Sequence, residues 1–166
     1  MILGMSISTF TTVHVILSLI GILSGLVVLF GMIGGKKSGG LTALFLATTV
    51  LTSATGFLFP GAGLDPARIV GIISLVALSA AILALYDYHL ARSWRWIYVI
   101  GAVVALYLNC FVAVAQAFQK IPAINALAPT QSEPPFLVAQ VVVMAIFIAL
   151  GILAVRKFHP GAASHR

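Results

Sequence analysis

The residues of this chain that could do chemistry are nearly all neutral. His14, Ser18, Gly21 and Gly25 are spaced so that they fall on one face of a helix. Gly101, Ala105, Asn109 and Gln116 form a second stripe, continued by Gln119 and Lys120. Between these two stripes, Thr48, Thr52 and Thr55 share one face, and Thr42, Thr49, Ser53 and Gly56 share another; Gln140 lies alone in a later apolar run. Groups of this kind exchange hydrogen bonds or hold a small polar molecule. His14 has further options: an axial haem ligand, a proton donor to a quinone oxygen, or a partner for Gln116 or a threonine. The acidic residues Asp65, Asp87 and Glu133 all lie outside the apolar runs, so no carboxylate is placed to relay protons or hold sodium within a membrane.

Other candidates are weaker. Two histidine ligands for one haem must lie at the same depth, and His14, His89, His159 and His165 do not pair in that way. Asp87 and His89 stand two apart, which is not one helix face, so they make no metal pair by themselves. Cys110 has no partner cysteine and no local base. There is no GxGxxG, P-loop, HExxH or Ser/His/Asp arrangement. The expected site therefore has no catalytic residue and no metal, and no cofactor is required, with haem or quinone as minor alternatives.

The elements that must position these residues are set by composition. Of the 166 residues 61% are hydrophobic and 7% charged, against about a quarter charged in a soluble domain. A membrane-spanning helix needs about 20 mostly apolar residues, and five stretches qualify: Phe10 to Ile33, Leu41 to Phe59, Ile69 to Tyr86, Trp96 to Phe118 and Phe136 to Val155. The expectation is an all-α bundle of five transmembrane helices in one domain over residues 1–166. Asp65-Pro66 predicts the cap and first turn of the third helix. The first span lacks a preceding basic residue and is too long for a signal peptide, so it is expected to stay as a helix.

The net charge of +6 reports topology more than a nucleic-acid surface. Lys36, Lys37, Arg92, Arg95, Arg156, Lys157 and Arg166 fall on one side of the five-span arrangement, and only Arg68 and Lys120 on the other. The positive-inside rule then predicts the N-terminus outside and the C-terminus in the cytoplasm. The long connection from Gln119 to Pro135 would lie outside. Ile121, Ile124 and Leu127 in it recur every third residue, predicting a short amphipathic helix, with Lys120 and Glu133 available as a charge pair.

Two accounts of the polar stripes follow. One is packing: Gly21 to Gly25 is a GxxxG, Gly101 and Ala105 let backbones approach, and neutral polar side chains hydrogen-bond between helices. The other is a cavity open to the outer face and lined by His14, Thr52, Asn109, Gln116 and Gln140. It is motivated by the concentration of polar residues in the outer half, a preference that packing alone does not need.

The stretches Thr42 to Val50, Ala105 to Asn109 and Leu127 to Phe136 are similar to those of small uncharacterised multi-pass proteins of proteobacterial inner membranes. The resemblance implies a bacterial inner membrane and carries no activity. The expected role is a non-enzymatic accessory or interaction subunit, a homo-oligomer or part of a larger membrane assembly, docked through faces such as Gly21 to Gly25. The alternatives are a small carrier or channel for a neutral or apolar solute, and a quinone- or haem-associated oxidoreductase module.

Overall fold

The computed structural model describes residues 1–61, 63 and 65–160, so His165 and Arg166 lie outside the described residues. Five helices are long and apolar enough to cross a membrane, and the described residues contain no strand beyond one isolated bridge between Ile2 and Met5. The helices are α1 (Ile7–Ile33), α2 (Gly39–Gly56), α3 (Pro66–Ile82, extended by a π-helical turn over Leu83–Asp87), α4 (Trp94–Lys120) and α6 (Pro134–Lys157), with a short α5 (Pro122–Asn125) in the last connection. All five expected spans are present, and each begins two or three residues before its apolar run. Polar caps and prolines start them: Ser6 accepts from the Thr9 amide at 3.1 Å, Asp65 from the Arg68 amide at 2.9 Å, and Glu133-Pro134 opens α6. The exception at the other end is α2, which stops at Gly56 rather than Phe59. Pro60 disfavours helical geometry at the preceding residue, and Phe57 to Phe59 form the turn instead.

Helix α4 is the axis of the bundle. It packs against α1, α2, α3 and α6, and its span is the most buried of the five. Small residues allow the closest approach: a Cβ added at Gly101 would lie 2.7 Å from the Ala77 carbonyl oxygen and 3.2 Å from Ala81 Cβ. Phe45, Leu29, Leu106, Val99 and Leu78 fill the centre. The outside is as apolar as the inside, with Leu23, Val76 and Leu137 each more than 60% exposed. In water such a continuous apolar surface would be untenable; against acyl chains it costs nothing, and packing and hydrogen bonds hold the helices together.

The bundle has two distinct ends. One gathers the start of α1, the α2–α3 turn and the α4–α6 connection, and carries Arg68 and Lys120. The other, basic end carries Lys36, Lys37, Arg92, Arg95, Arg156 and Lys157. At the basic end the α3–α4 turn has positive φ at His89, Leu90 and Arg92, and Tyr88 stacks on Trp94 with ring centroids 3.7 Å apart. Arg95 closes α6, donating from Nη1 to the carbonyls of Val155 (2.8 Å) and Phe158 (2.7 Å) that the helix itself leaves unpaired.

The α4–α6 connection differs from expectation. The helical part covers only Pro122–Asn125, and Leu127 is 59% exposed. The connection is tied to the helix tips by polar side chains: Asn125 Nδ2 donates to Phe118 O (2.9 Å) and Gln131 Nε2 to Ala115 O (2.7 Å). No ion pair joins Lys120 to Glu133 among the described residues. Glu133 instead accepts from the Thr130 hydroxyl at 2.8 Å and from the Thr130 and Ser132 amides, because backbone donors one to three residues away cost less chain entropy to reach than a lysine on another element.

Candidate functional site: a polar cavity at the amino-terminal end

Helices α1 to α4 turn their polar stripes toward each other in the half of the bundle away from the basic end. Gly21 makes room for this. A Cβ built on it would meet Thr49 Oγ1 at 3.0 Å, Asn109 Nδ2 at 3.2 Å and Thr48 Oγ1 at 3.3 Å. Ser18 Oγ donates to Asn109 Oδ1 at 3.0 Å, and Asn109 Nδ2 reaches the Ser18 carbonyl at 3.4 Å, joining α1 to α4. Ser53 Oγ donates to Ser74 Oγ at 3.1 Å, joining α2 to α3. His14 Nδ1 lies 2.8 Å from Thr55 Oγ1, joining α1 to α2, and the imidazole packs edge-on to Phe59.

The hydroxyls also bond within their own helix. Thr55 Oγ1 also lies 2.7 Å from Leu51 O, so its single hydrogen serves either that carbonyl or His14 Nδ1, and the imidazole tautomer follows from which of the two it bonds. Thr48, Thr49 and Thr52 likewise bond carbonyls one turn back within α2, which removes the cost of placing hydroxyls in an apolar span. Ser74 Oγ accepts the Ser53 hydroxyl hydrogen.

A cavity of about 90 Å³ lies among these groups, lined by His14, Thr52, Ser53, Arg68, Ser74 and Asn109, with apolar side chains between them. Arg68 leaves no uncommitted charge there. Its guanidinium donates to the carbonyls of Phe59, Gly61 and Gly63 in the α2–α3 turn and lies 4.0 Å from Asp65. Toward the basic end the cavity is closed: Leu29, Met32, Phe45 and Leu106 pack around Gly25 with no water-sized space between them. A Cβ on Gly25 would already be 2.7 Å from Leu106 Cδ1 and 2.8 Å from Phe45.

Three of the five residues expected to line a cavity, His14, Thr52 and Asn109, are brought together; Gln116 and Gln140 are not among its lining. Gln116 lies two turns, about 10 Å, beyond Asn109 along α4. Gln140 belongs to α6, which packs on α1 and α4 away from α2 and α3. It is buried with Nε2 donating to Phe111 O at 3.1 Å, while Oε1 has no partner among the described residues. The Gly21–Gly25 face, expected to receive a partner, is instead filled by α2 and α4 of the same chain, as the contacts of both glycines show. Ser74 and Arg68 were not anticipated at the site. The signal available was the run Ala67, Gly71 and Ser74, small or polar residues three and four apart on one face of α3.

The remaining histidines do not gather. His89 lies in the α3–α4 turn at the opposite end from His14, and no group of three His, Cys, Asp or Glu side chains able to hold a metal occurs among the described residues. A cavity of 90 Å³ is also well below the roughly 300 Å³ at which ligand pockets usually begin. It accommodates a molecule of a few heavy atoms, not a macrocycle beside His14.

Fold and site together give a helical bundle with five helices long and apolar enough to cross a membrane, which suggests a multi-pass membrane protein, and a polar cavity at one end. No protein-family profile, curated protein or solved structure matches the chain.

Proposed function

We propose that the chain is a multi-pass protein of a bacterial inner membrane, N-terminus outside, that binds a small neutral hydrogen-bonding solute in the His14–Asn109 cavity as a small carrier. The observation that carries this reading is a one-sided site: polar lining at one end, a packed apolar layer around Gly25 below it. Hydrophobic constrictions of that kind gate by excluding water. The lining combines an imidazole, hydroxyls and an amide, and its one charged group, Arg68, is held by three carbonyls of the α2–α3 turn and by Asp65, which favours an uncharged solute carrying both donor and acceptor groups. The orientation rests on Lys36, Lys37, Arg92, Arg95, Arg156 and Lys157 at the end assigned to the cytoplasm; the inner-membrane location rests on the resemblance of Thr42 to Val50 and Leu127 to Phe136.

The test is solute flux. Proteoliposomes challenged with glycerol or urea should re-swell faster than protein-free liposomes, and Thr52→Val and Asn109→Leu should slow them. Re-swelling at the protein-free rate with the folded wild-type chain overturns the carrier reading.

A second reading, an interaction subunit that self-associates or docks on a larger assembly, is favoured by α6. Only 11% of its span is buried inside the chain, against 28–44% for the other four. Cross-linking from cysteines placed at Leu137 or Val141 tests it, and a monomer in mild detergent with no cross-linked product in membranes counts against it.

A further inference from the structure

The seam between α4 and α6 is not closed along its whole length. From mid-span to the basic end it opens into a groove of about 490 Å³, walled by side chains such as Val103, Tyr107, Phe147 and Ile152, with Gly151 at its floor and Arg156 at its end. Gly151 keeps the groove deep, since even a Cβ there would come within 3.3 Å of Val103 Cγ1. Tyr107 closes it at mid-span, its ring 5.8 Å from that of Phe147 and 6.2 Å from that of Phe111.

We propose that this groove holds one acyl chain of an anionic phospholipid whose phosphate pairs with Arg156. Length argues for a lipid tail. From Met144 to Arg156 the groove follows three and a third turns of helix, about 18 Å at 1.5 Å per residue. That is close to one leaflet, half of a hydrocarbon core of about 30 Å. A partner's transmembrane helix would need a groove through both leaflets, and this one stops at Tyr107. Charge argues for an anionic headgroup. Arg156 is exposed and has no carboxylate partner among the described residues. The negative carboxyl end of α6 does not compensate it, because Arg95 already occupies the carbonyls of Val155 and Phe158. Basic pockets between membrane helices at the cytoplasmic side recognise phosphate headgroups by this chemistry.

The proposal rests on the membrane reading above, and the experiment separates the two. The full chain is placed in nanodiscs of equal phosphatidylglycerol and phosphatidylcholine, and the lipids that stay bound on release are counted by native mass spectrometry. The wild-type chain should retain phosphatidylglycerol several-fold over phosphatidylcholine. Arg156→Gln should abolish that preference while Lys157→Gln keeps it, and Gly151→Leu should lose one retained lipid of either kind. Equal retention by the wild type, an unchanged preference in Arg156→Gln, or a lipid-free dimer joined through this seam overturns the lipid site alone. A chain that does not enter the discs overturns the membrane reading as well.

Discussion

Ser18 and Asn109 hold each other across α1 and α4 at two points, hydroxyl to side-chain carbonyl at 3.0 Å and amide to backbone carbonyl at 3.4 Å. This pair stands at the boundary between the polar half of the bundle and the apolar layer around Gly25. Interhelical bonds of this type contribute about 0.6–2 kcal/mol in membranes. Ser18→Ala and Asn109→Leu should each lower stability by about that amount, and the double variant by less than the sum of the two. Unfolding in mixed micelles measures the cycle; strict additivity means that the two side chains do not interact.

Close helix packing predicts a ranking among glycine substitutions. Gly101→Ala forces a methyl against the Ala77 backbone carbonyl and Gly25→Ala against Phe45, whereas Gly39→Ala meets nothing within 4 Å. Overpacking of a tight contact costs about 1–3 kcal/mol. Melting temperatures should fall for the first two and stay level or rise for the third. Equal effects at Gly101 and Gly39 would contradict the α3–α4 approach.

Arg95 fastens the end of α6 to α4, and hydrogen bonds from a charged donor are worth about 1.5–3 kcal/mol. Arg95→Leu should therefore loosen α6 near Ala154 to Phe158. Hydrogen exchange there should rise while exchange in α1 is unchanged.

Glu133 gives the connecting loop a pH dependence. Desolvation is the largest single effect and pushes its carboxyl up, but hydrogen bonds from the Thr130 hydroxyl and from the Glu133, Thr130 and Ser132 amides together outweigh it and hold the carboxyl below the ordinary value of 4.5. A carboxyl whose folded value lies below its unfolded value adds stability that is complete above the unfolded value. That contribution is lost as pH falls through the folded value. Protease sensitivity between Ala126 and Ser132 should rise as the medium is acidified below 4.5, and Glu133→Gln should show the loosened loop at neutral pH without the acid step.

Much of the architecture was legible in the sequence because it depends on local physics. Apolar run length against bilayer thickness set five helices, and Asp65-Pro66 set where the third begins, whereas the Ser6 cap that starts α1 ahead of its apolar run emerged only in the structure. The segregation of Lys36, Lys37, Arg92, Arg95, Arg156 and Lys157 from Arg68 and Lys120 needed only helix count and alternation. What the sequence could not decide was azimuth and neighbour order. Helices that are apolar on every side do not announce which face turns inward, so His14, Thr52 and Asn109 read the same as Gln116 and Gln140. Only the tertiary packing, with α4 at the axis, α2 and α3 on one side and α6 on another, brought the first three to one cavity and left Gln140 against Phe111. It also turned the Gly21–Gly25 face inward, because the glycines let Phe45, Leu106 and Asn109 approach a backbone that any larger residue would have held away.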